Sequence, residues 1–503
     1  MKQTKALSHE NIKSLLFKNI KFISLKQAKL LFLKRMNDFV LKQSVSRKKN
    51  TPSLSTIPYQ FLWIGSFLLF AAALSLFFPF PLQAQKQYRE PFPITQYQLP
   101  NGLQVILSED YSLPVVSVAV AYNVGSINEK PGKTGIAYMM ENLMFLGSEN
   151  VRKMQHVSLI HQTGGRLNAS TTEDKTLFYQ TVPSNHLELV LWLESDRMSS
   201  LDITSRKVEQ SKQSLIEEIK QRKHRDPYLE SELAFDKILY PNFVLNHPYF
   251  GNEIDLRNLT TKDVLDFYKT YYTPDNAVLC ITGHFNVMKT KDIIEKHFGD
   301  IPSGESIPQL SLPESFKSEH IEMIKEYALI SSPGFYMGYR TASIHSNDFY
   351  PLKIMEYLLL KGEGSRLYNK LIKKERMTLH ISGGIEIRKN ISSFKIFALS
   401  NNELLARESQ RAILSEINRI RYNILSSEEL TRAKNMFKMN YLKQYATSLN
   451  KALFLIDAFL YNGNFDHLKE ELDKYLAVTN YDIMKILNRY FIRKSIILHI
   501  KMK

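Results

Sequence analysis

Three side chains within one short stretch could share a chemical task. In Gly135-Ile136-Ala137-Tyr138-Met139-Met140-Glu141-Asn142-Leu143, Tyr138, Glu141 and Asn142 stand at i, i+3 and i+4. A helix places such positions on one face, so a phenol, a carboxylate and a carboxamide would point the same way. The carboxylate is a candidate general base. Histidines elsewhere do not form a metal set. His156 and His161 are five apart and leave a common helix face, and His224 and His247 stand singly in polar surroundings. The lone cysteine, Cys280, excludes an intramolecular disulfide framework and any multi-cysteine metal site. Gly362-Glu363-Gly364 has no P-loop frame around it and is too short to cradle a phosphate.

The elements that must hold these residues alternate between strands and helices. Thr95–Leu99, the Asn101-Gly102 turn and Leu103–Leu107 read as a hairpin. Val115–Val124 reads as a buried strand, Gly132–Phe145 as a helix, and Gly164–Thr181 as two short strands. Helices follow over 184–199 and 205–224, then a strand over Val278–Thr282. Residues 303–318 are rich in Pro and Ser and read as a linker. Beyond it the pattern returns: a strand over Gly334–Tyr339, helices over 347–361 and 364–376, strands over 378–386 and 391–399, then helices over 403–422, 426–447, 449–461 and 479–491. Two α+β halves, 88–302 and 319–500, suggest an internal duplication, although the direct sequence match between them is weak.

The stretch 135–148 resembles the insulinase/pitrilysin family of zinc metallopeptidases, whose inverted motif is H-x-x-E-H. The flanks Gly135-Ile136-Ala137, Leu143-Met144-Phe145 and Gly147-Ser148 fit that frame. So do Leu99–Leu103, Gly164–Thr171 with Asp174 and Thr176, Leu191–Met198, His247-Pro248-Tyr249, Tyr271–Ala277 with Gly283, and Gly364–Tyr368. The resemblance spans about 90–500. It implies two similar processing-peptidase-like α+β domains, each an antiparallel sheet packed with helices, together forming one half of a clamshell. It also implies roles for named residues. Glu141 takes the position of the general base. Tyr138 and Asn142 take the places of the two zinc histidines. Glu218, seventy-six residues past Asn142, takes that of the third ligand. Asn168, Ala169, Ser170 and Thr171 match the strand beside the substrate.

The carboxylates remain and the imidazoles do not. Zinc takes N, S or carboxylate donors in sets of three or four, and a carboxamide is a poor ligand. A phenol must lose a proton from a pKa of ~10 to bind well. No cofactor is therefore expected, zinc entering only if other ligands rebuild the site. Family members also use an Arg and a Tyr in the second half. Alignment puts Ile372 and Leu379 there, or Lys373 and His380 with a one-residue slip, so neither register supplies the pair.

The expected function is a non-catalytic subunit that pairs with a relative carrying an intact motif, or with itself, and helps enclose peptides or unfolded protein. The alternatives are a peptide-binding scaffold without proteolysis and an active peptidase with an altered metal site. Charge adds an address. Residues 1–57 carry thirteen Lys/Arg against two acids, a net +11 of the total +16, which leaves +5 for residues 85–503 and argues against a nucleic-acid groove. Residues 61–84 follow the basic region 1–60 and carry no charge. They read as a signal peptide cut after Ala84 or as a retained membrane anchor. Either implies export, to a bacterial periplasm or to its inner membrane.

Overall fold

The computed structural model describes residues 93–310, 312, 319–422, 425–492 and 494–503. The basic region and the apolar segment 61–84 lie outside them. Among the described residues no helix is long and apolar enough to cross a membrane. Lys86–Lys503 forms one compact unit.

Strands β1 (Thr95–Gln98), β2 (Gln104–Glu109), β3 (Val115–Tyr122), β4 (Arg166–Thr171), β5 (Thr176–Pro183) and β6 (Ala277–Gly283) make the first sheet, in the order β1-β2-β6-β3-β5-β4. Strands β7 (Ile321–Tyr327), β8 (Gly334–Arg340), β9 (His380–Arg388), β10 (Ile391–Leu399) and β11 (Ile496–Met502) make the second, in the order β7-β11-β8-β10-β9. The helices used below are α1 (Ile136–Leu143), α2 (Leu187–Ser199), α3 (Ser205–Arg225), α4 (Leu229–Leu239), α5 (Phe349–Leu359), α6 (Glu403–Tyr422), α7 (Ser427–Lys443) and α8 (Ser448–Asn462).

The two sheets repeat one plan. β2-β6-β3-β5-β4 matches β7-β11-β8-β10-β9 position for position, and β1 alone has no counterpart. The sheets are not purely antiparallel as expected: β2 runs parallel to β6, and β7 parallel to β11. Each parallel pair joins an early strand of a half, β2 or β7, to its last, so the intervening chain supplies the long crossover that a parallel pair needs.

Both faces of each sheet are covered, which is why the inner strands read as continuous apolar runs. In the first sheet Val116, Val118 and Val120 face a core shared with α1 and α2. Ala119, Ala121, Val278 and Cys280 face the other way, against Ala452, Leu455 and Ile456 of α8. That helix comes from the second half. The exchange is mutual: α4 from the first half sets Phe235 and Leu239 on Tyr336 and Leu498 of the second sheet. Gly338 permits this approach, since a Cβ there would lie 2.7 Å from the Phe235 ring. Helical periodicity does not say which sheet a helix will cover, so this exchange was invisible in the sequence.

Ion pairs reinforce the joint. Buried Arg388 on β9 reaches Asp236 of α4 at 2.5 Å, donates to the Leu245 carbonyl, and lies 4.4 Å over the Tyr240 ring. Lys395 bonds the same Asp236. The backbone N–H of Lys389 donates to Asp174 at 2.7 Å, pinning the turn between β4 and β5.

His156 illustrates the cost of burying a titratable ring. Its Nε2 lies 2.9 Å from Gln180 Oε1. Burial, then the charge of Arg197, hold the imidazole down at about 3, from 6.5. Between those values the unfolded chain takes up a proton that the folded chain refuses. The stability is whole above pH 6.5 and is lost as pH falls towards 3, by about 5 kcal/mol in full. Urea titrations at pH 7 and pH 4.5 should show His156→Gln much less acid-sensitive than the parent; equal sensitivity would refute this assignment.

Candidate functional site

Helix α1 is fixed at its first turn. Gly135 takes a left-handed conformation with φ 88°. Gly251 presses against it so closely that a Cβ would meet the Gly135 nitrogen at 2.5 Å. Two free N–H groups of the helix start, on Gly135 and Ala137, donate to buried Glu129, each at 2.9 Å. A carboxylate there satisfies orphan donors and suits the helix dipole. His247 Nε2 sits 3.1 Å from the same carboxylate and its Nδ1 2.7 Å from the Phe243 carbonyl, so His247 is buried and structural. Ile136, Ala137, Met139, Met140 and Leu143 go into the core. Tyr138, Glu141 and Asn142 are left together on the half-buried face, as the spacing predicted.

Helix α3 brings the fourth residue. Thr204 caps it by accepting from the Lys207 N–H. Glu218 then lies opposite α1. The Tyr138 hydroxyl donates to Glu218 Oε1 at 2.8 Å. Arg222, one turn along α3, donates to the same oxygen at 3.0 Å. Its other terminal nitrogen donates to the Tyr249 hydroxyl at 2.7 Å, and its guanidinium stacks 4.8 Å over the Phe250 ring. Tyr138 and Tyr249 meet edge to face at 5.5 Å. The result is a closed cluster of two phenols, one carboxylate and one guanidinium.

Glu141 belongs to a second contact. The Thr171 hydroxyl, at the end of β4, donates to its Oε2. Burial raises the Glu141 carboxyl above its ordinary value, the Thr171 bond opposes this, and the charge of Glu218 adds to the rise. Burial, then the hydrogen bond to Glu218, likewise push the Tyr138 phenol up. Asn142 shares the face but makes no side-chain hydrogen bond among the described residues.

Residues 168–171 pair with Tyr179, Phe178, Leu177 and Thr176 of β5. They lie on the outermost strand of the first sheet, whose other edge is open among the described residues. Asn168 Oδ1 accepts the N–H of Ala169 at 2.9 Å.

The structure places Tyr138 against Glu218 and Thr171 against Glu141, with Asn142 on the same helix face. Sequence reasoning missed Arg222 and Tyr249. The signal for Arg222 was its i+4 spacing from Glu218, the usual reach of a helical ion pair. In the second half Lys373 bonds Glu363 and His380 bonds Ser382, so neither joins this site. Arg366 is held by Glu416 and Glu429.

The donor set does not fit zinc. The phenol at 138 is held protonated, the carboxamide at 142 is neutral, and the Glu218 carboxylate is already tied through Oε1 to Tyr138 and Arg222. Metal ligands must be deprotonated and free to turn to the ion. Among the described residues no group of three His, Cys, Asp or Glu could hold a metal.

Comparison with known proteins agrees with the fold and the motif frame. Residues 104–243 match the family model described as Insulinase (Peptidase family M16), and residues 258–437 match that of the Peptidase M16 inactive domain. The chain is 26% identical over 403 residues to Zinc protease PqqE of Helicobacter pylori, covering 78% of this chain and 89% of that protein. The crystal structure of a protease from Helicobacter pylori superposes with a TM-score of 0.78 at 25% identity, over 82% of this chain and all of the other. The periplasmic protease PqqL from Escherichia coli superposes at 0.69 with 16% identity, over 82% of this chain and 48% of its own, a likeness of fold alone. The chain belongs to the insulinase family, the M16 peptidases.

Proposed function

We propose that this chain is a non-catalytic M16 subunit that pairs with a relative carrying an intact zinc motif and helps enclose or bind its peptides. One observation carries the reading: a phenol stands where the first zinc histidine would be, and Tyr138 and Arg222 both donate to the Glu218 carboxylate. The residues that remain do structural work. Tyr138, Glu218, Arg222 and Tyr249 tie α1 to α3 and to the loop at 249, while Glu141 ties α1 to β4. No hydrolytic step runs through this set. The repeated sheet plan supports the pairing, since a chain built as two matched halves offers one wall of a chamber and leaves the other to a partner.

A second reading has its own support. The open edge of β4 could extend its sheet with a peptide strand, and backbone pairing needs no metal. Against it, the Asn168 side chain already accepts one backbone N–H of that strand. The placement proposed is the bacterial periplasm, with residues 61–84 as the export segment. The apolar composition of that segment and the basic region before it support this.

Zinc per chain, measured by elemental analysis after chelator-free purification, tests the reading. A value near zero is expected, together with peptidase activity that appears only on co-expression with an intact-motif homologue and co-elutes with both chains. Near one zinc per chain, or activity of the chain alone, would return it to the enzymes.

A further inference from the structure

Among the described residues the repeated plan leaves one place empty. In the first sheet the outer edge of β2 is covered by β1, paired from Thr95–Leu107 to Gln98–Gln104. Its counterpart β7 has no outer neighbour among the described residues. Of the described linker residues, Leu310 and Leu312 pack with Tyr336 and Leu498 on the opposite face. An uncovered strand of seven residues offers a row of free backbone donors and acceptors. Beside it, Ile324 is 55% exposed and Leu404 of α6 66% exposed.

Between β7 and α6 runs a groove of about 400 Å³, lined among others by Glu322, Ile324, Arg407, Gln410 and Arg411. Its charges are unequal. Glu322 is occupied by His499 at 2.7 Å and Glu403 by Lys501 at 2.7 Å. Arg407 and Arg411, one turn apart on the exposed side of α6, form no ion pair among the described residues. Two guanidinium groups therefore overlook an open strand edge without a counter-charge.

We propose that the edge of β7 and this groove form a docking site for an extended segment of a partner protein with acidic side chains on alternate residues. Added as a strand, such a segment would pair its backbone with β7 and point every second side chain towards α6. There carboxylates would meet Arg407 and Arg411 and apolar neighbours would cover Ile324. Charge argues against the chain's own N-terminal region, which carries +11 over residues 1–57. The site lies on the second sheet, away from Glu141 and Glu218, and stands whether or not the chain binds zinc.

The test uses the full chain in detergent and two labelled peptides, one alternating Glu with Val and the other Lys with Val, followed by fluorescence anisotropy. The Glu peptide should bind, the Lys peptide should not, and amides of β7 should exchange more slowly with the Glu peptide present. Arg407→Glu with Arg411→Glu should weaken the Glu peptide at least about tenfold. Ile324→Lys should do the same, with melting temperatures unchanged because all three side chains are exposed. No binding at millimolar peptide, equal binding of both peptides, or an unchanged affinity in the arginine variant would overturn the proposal. So would a dimer by light scattering that Ile324→Lys dissolves, since a second copy would then be the occupant.

Discussion

Replacing Tyr138 and Asn142 by histidine is expected to give a weak zinc site, and adding Arg222→Gln a much tighter one. The pair of histidines at i and i+4 supplies two imidazoles, with Glu218 as third ligand. Arg222 opposes them in two ways. It holds Glu218 Oε1 at 3.0 Å, so the carboxylate must break an ion pair before it turns to a metal. It also keeps a positive charge within a few ångströms of the incoming dication. At an effective dielectric of ~20, a unit charge ~5 Å from another costs about 3 kcal/mol, before screening of these part-exposed groups reduces it. A figure halved by screening, about 1.5 kcal/mol, still separates the double and triple variants by roughly tenfold in dissociation constant. Zinc titration in a chelator buffer reads this directly, and bound metal should raise the melting temperature of the triple variant more. Equal affinities would mean that Arg222 swings aside at no cost.

Arg388→Met should cost a large part of the chain's stability. Arg388 is 4% exposed and touches both halves. Its removal leaves the Leu245 carbonyl without that donor and Asp236 with Lys395 alone, while Glu386 keeps only Lys395. Breaking a buried pair by deleting one partner costs about 3–5 kcal/mol, because the remaining charge stays desolvated. Urea unfolding should report that loss. Hydrogen exchange should place it at α4, β9 and β10 rather than at α1. A loss below about 1 kcal/mol would show that water reaches the cluster and compensates. Asp236→Asn combined with Arg388→Met should cost less than the two changes added, as coupled neighbours do.

The sequence carried the local elements well where one physical rule decided them. The Asn101-Gly102 turn appears with Gly102 at φ 93°, and the Asn101 side chain holds the Phe298 and Ile301 carbonyls, which the turn signal alone did not foretell. The face shared by residues 138, 141 and 142 followed from helical spacing. The strand β7, Ile321-Glu322-Met323-Ile324-Lys325-Glu326-Tyr327, was missed because its charged and apolar residues do not alternate cleanly. An edge strand with one face over an open groove has no such need. β11 was missed for another reason: its place depends on pairing with β7, some 170 residues earlier in the chain. The roles of Arg222 and Tyr249 depended on a contact between a helix and a distant loop, which no local period encodes.

The exchange of α8 and α4 between the halves has a consequence for synthesis. When β6 has left the ribosome the first sheet can form, but its Ala119, Ala121, Val278 and Cys280 face stays bare until Ser448–Asn462 has been made. At translation rates of about 5–20 residues per second that wait is roughly ten to thirty seconds. Throughout it the nascent chain shows an apolar sheet face to whatever chaperone or export machinery holds it. A truncation before α8 would leave that face permanently uncovered and would be degraded or aggregate rather than fold as a half-sized protein.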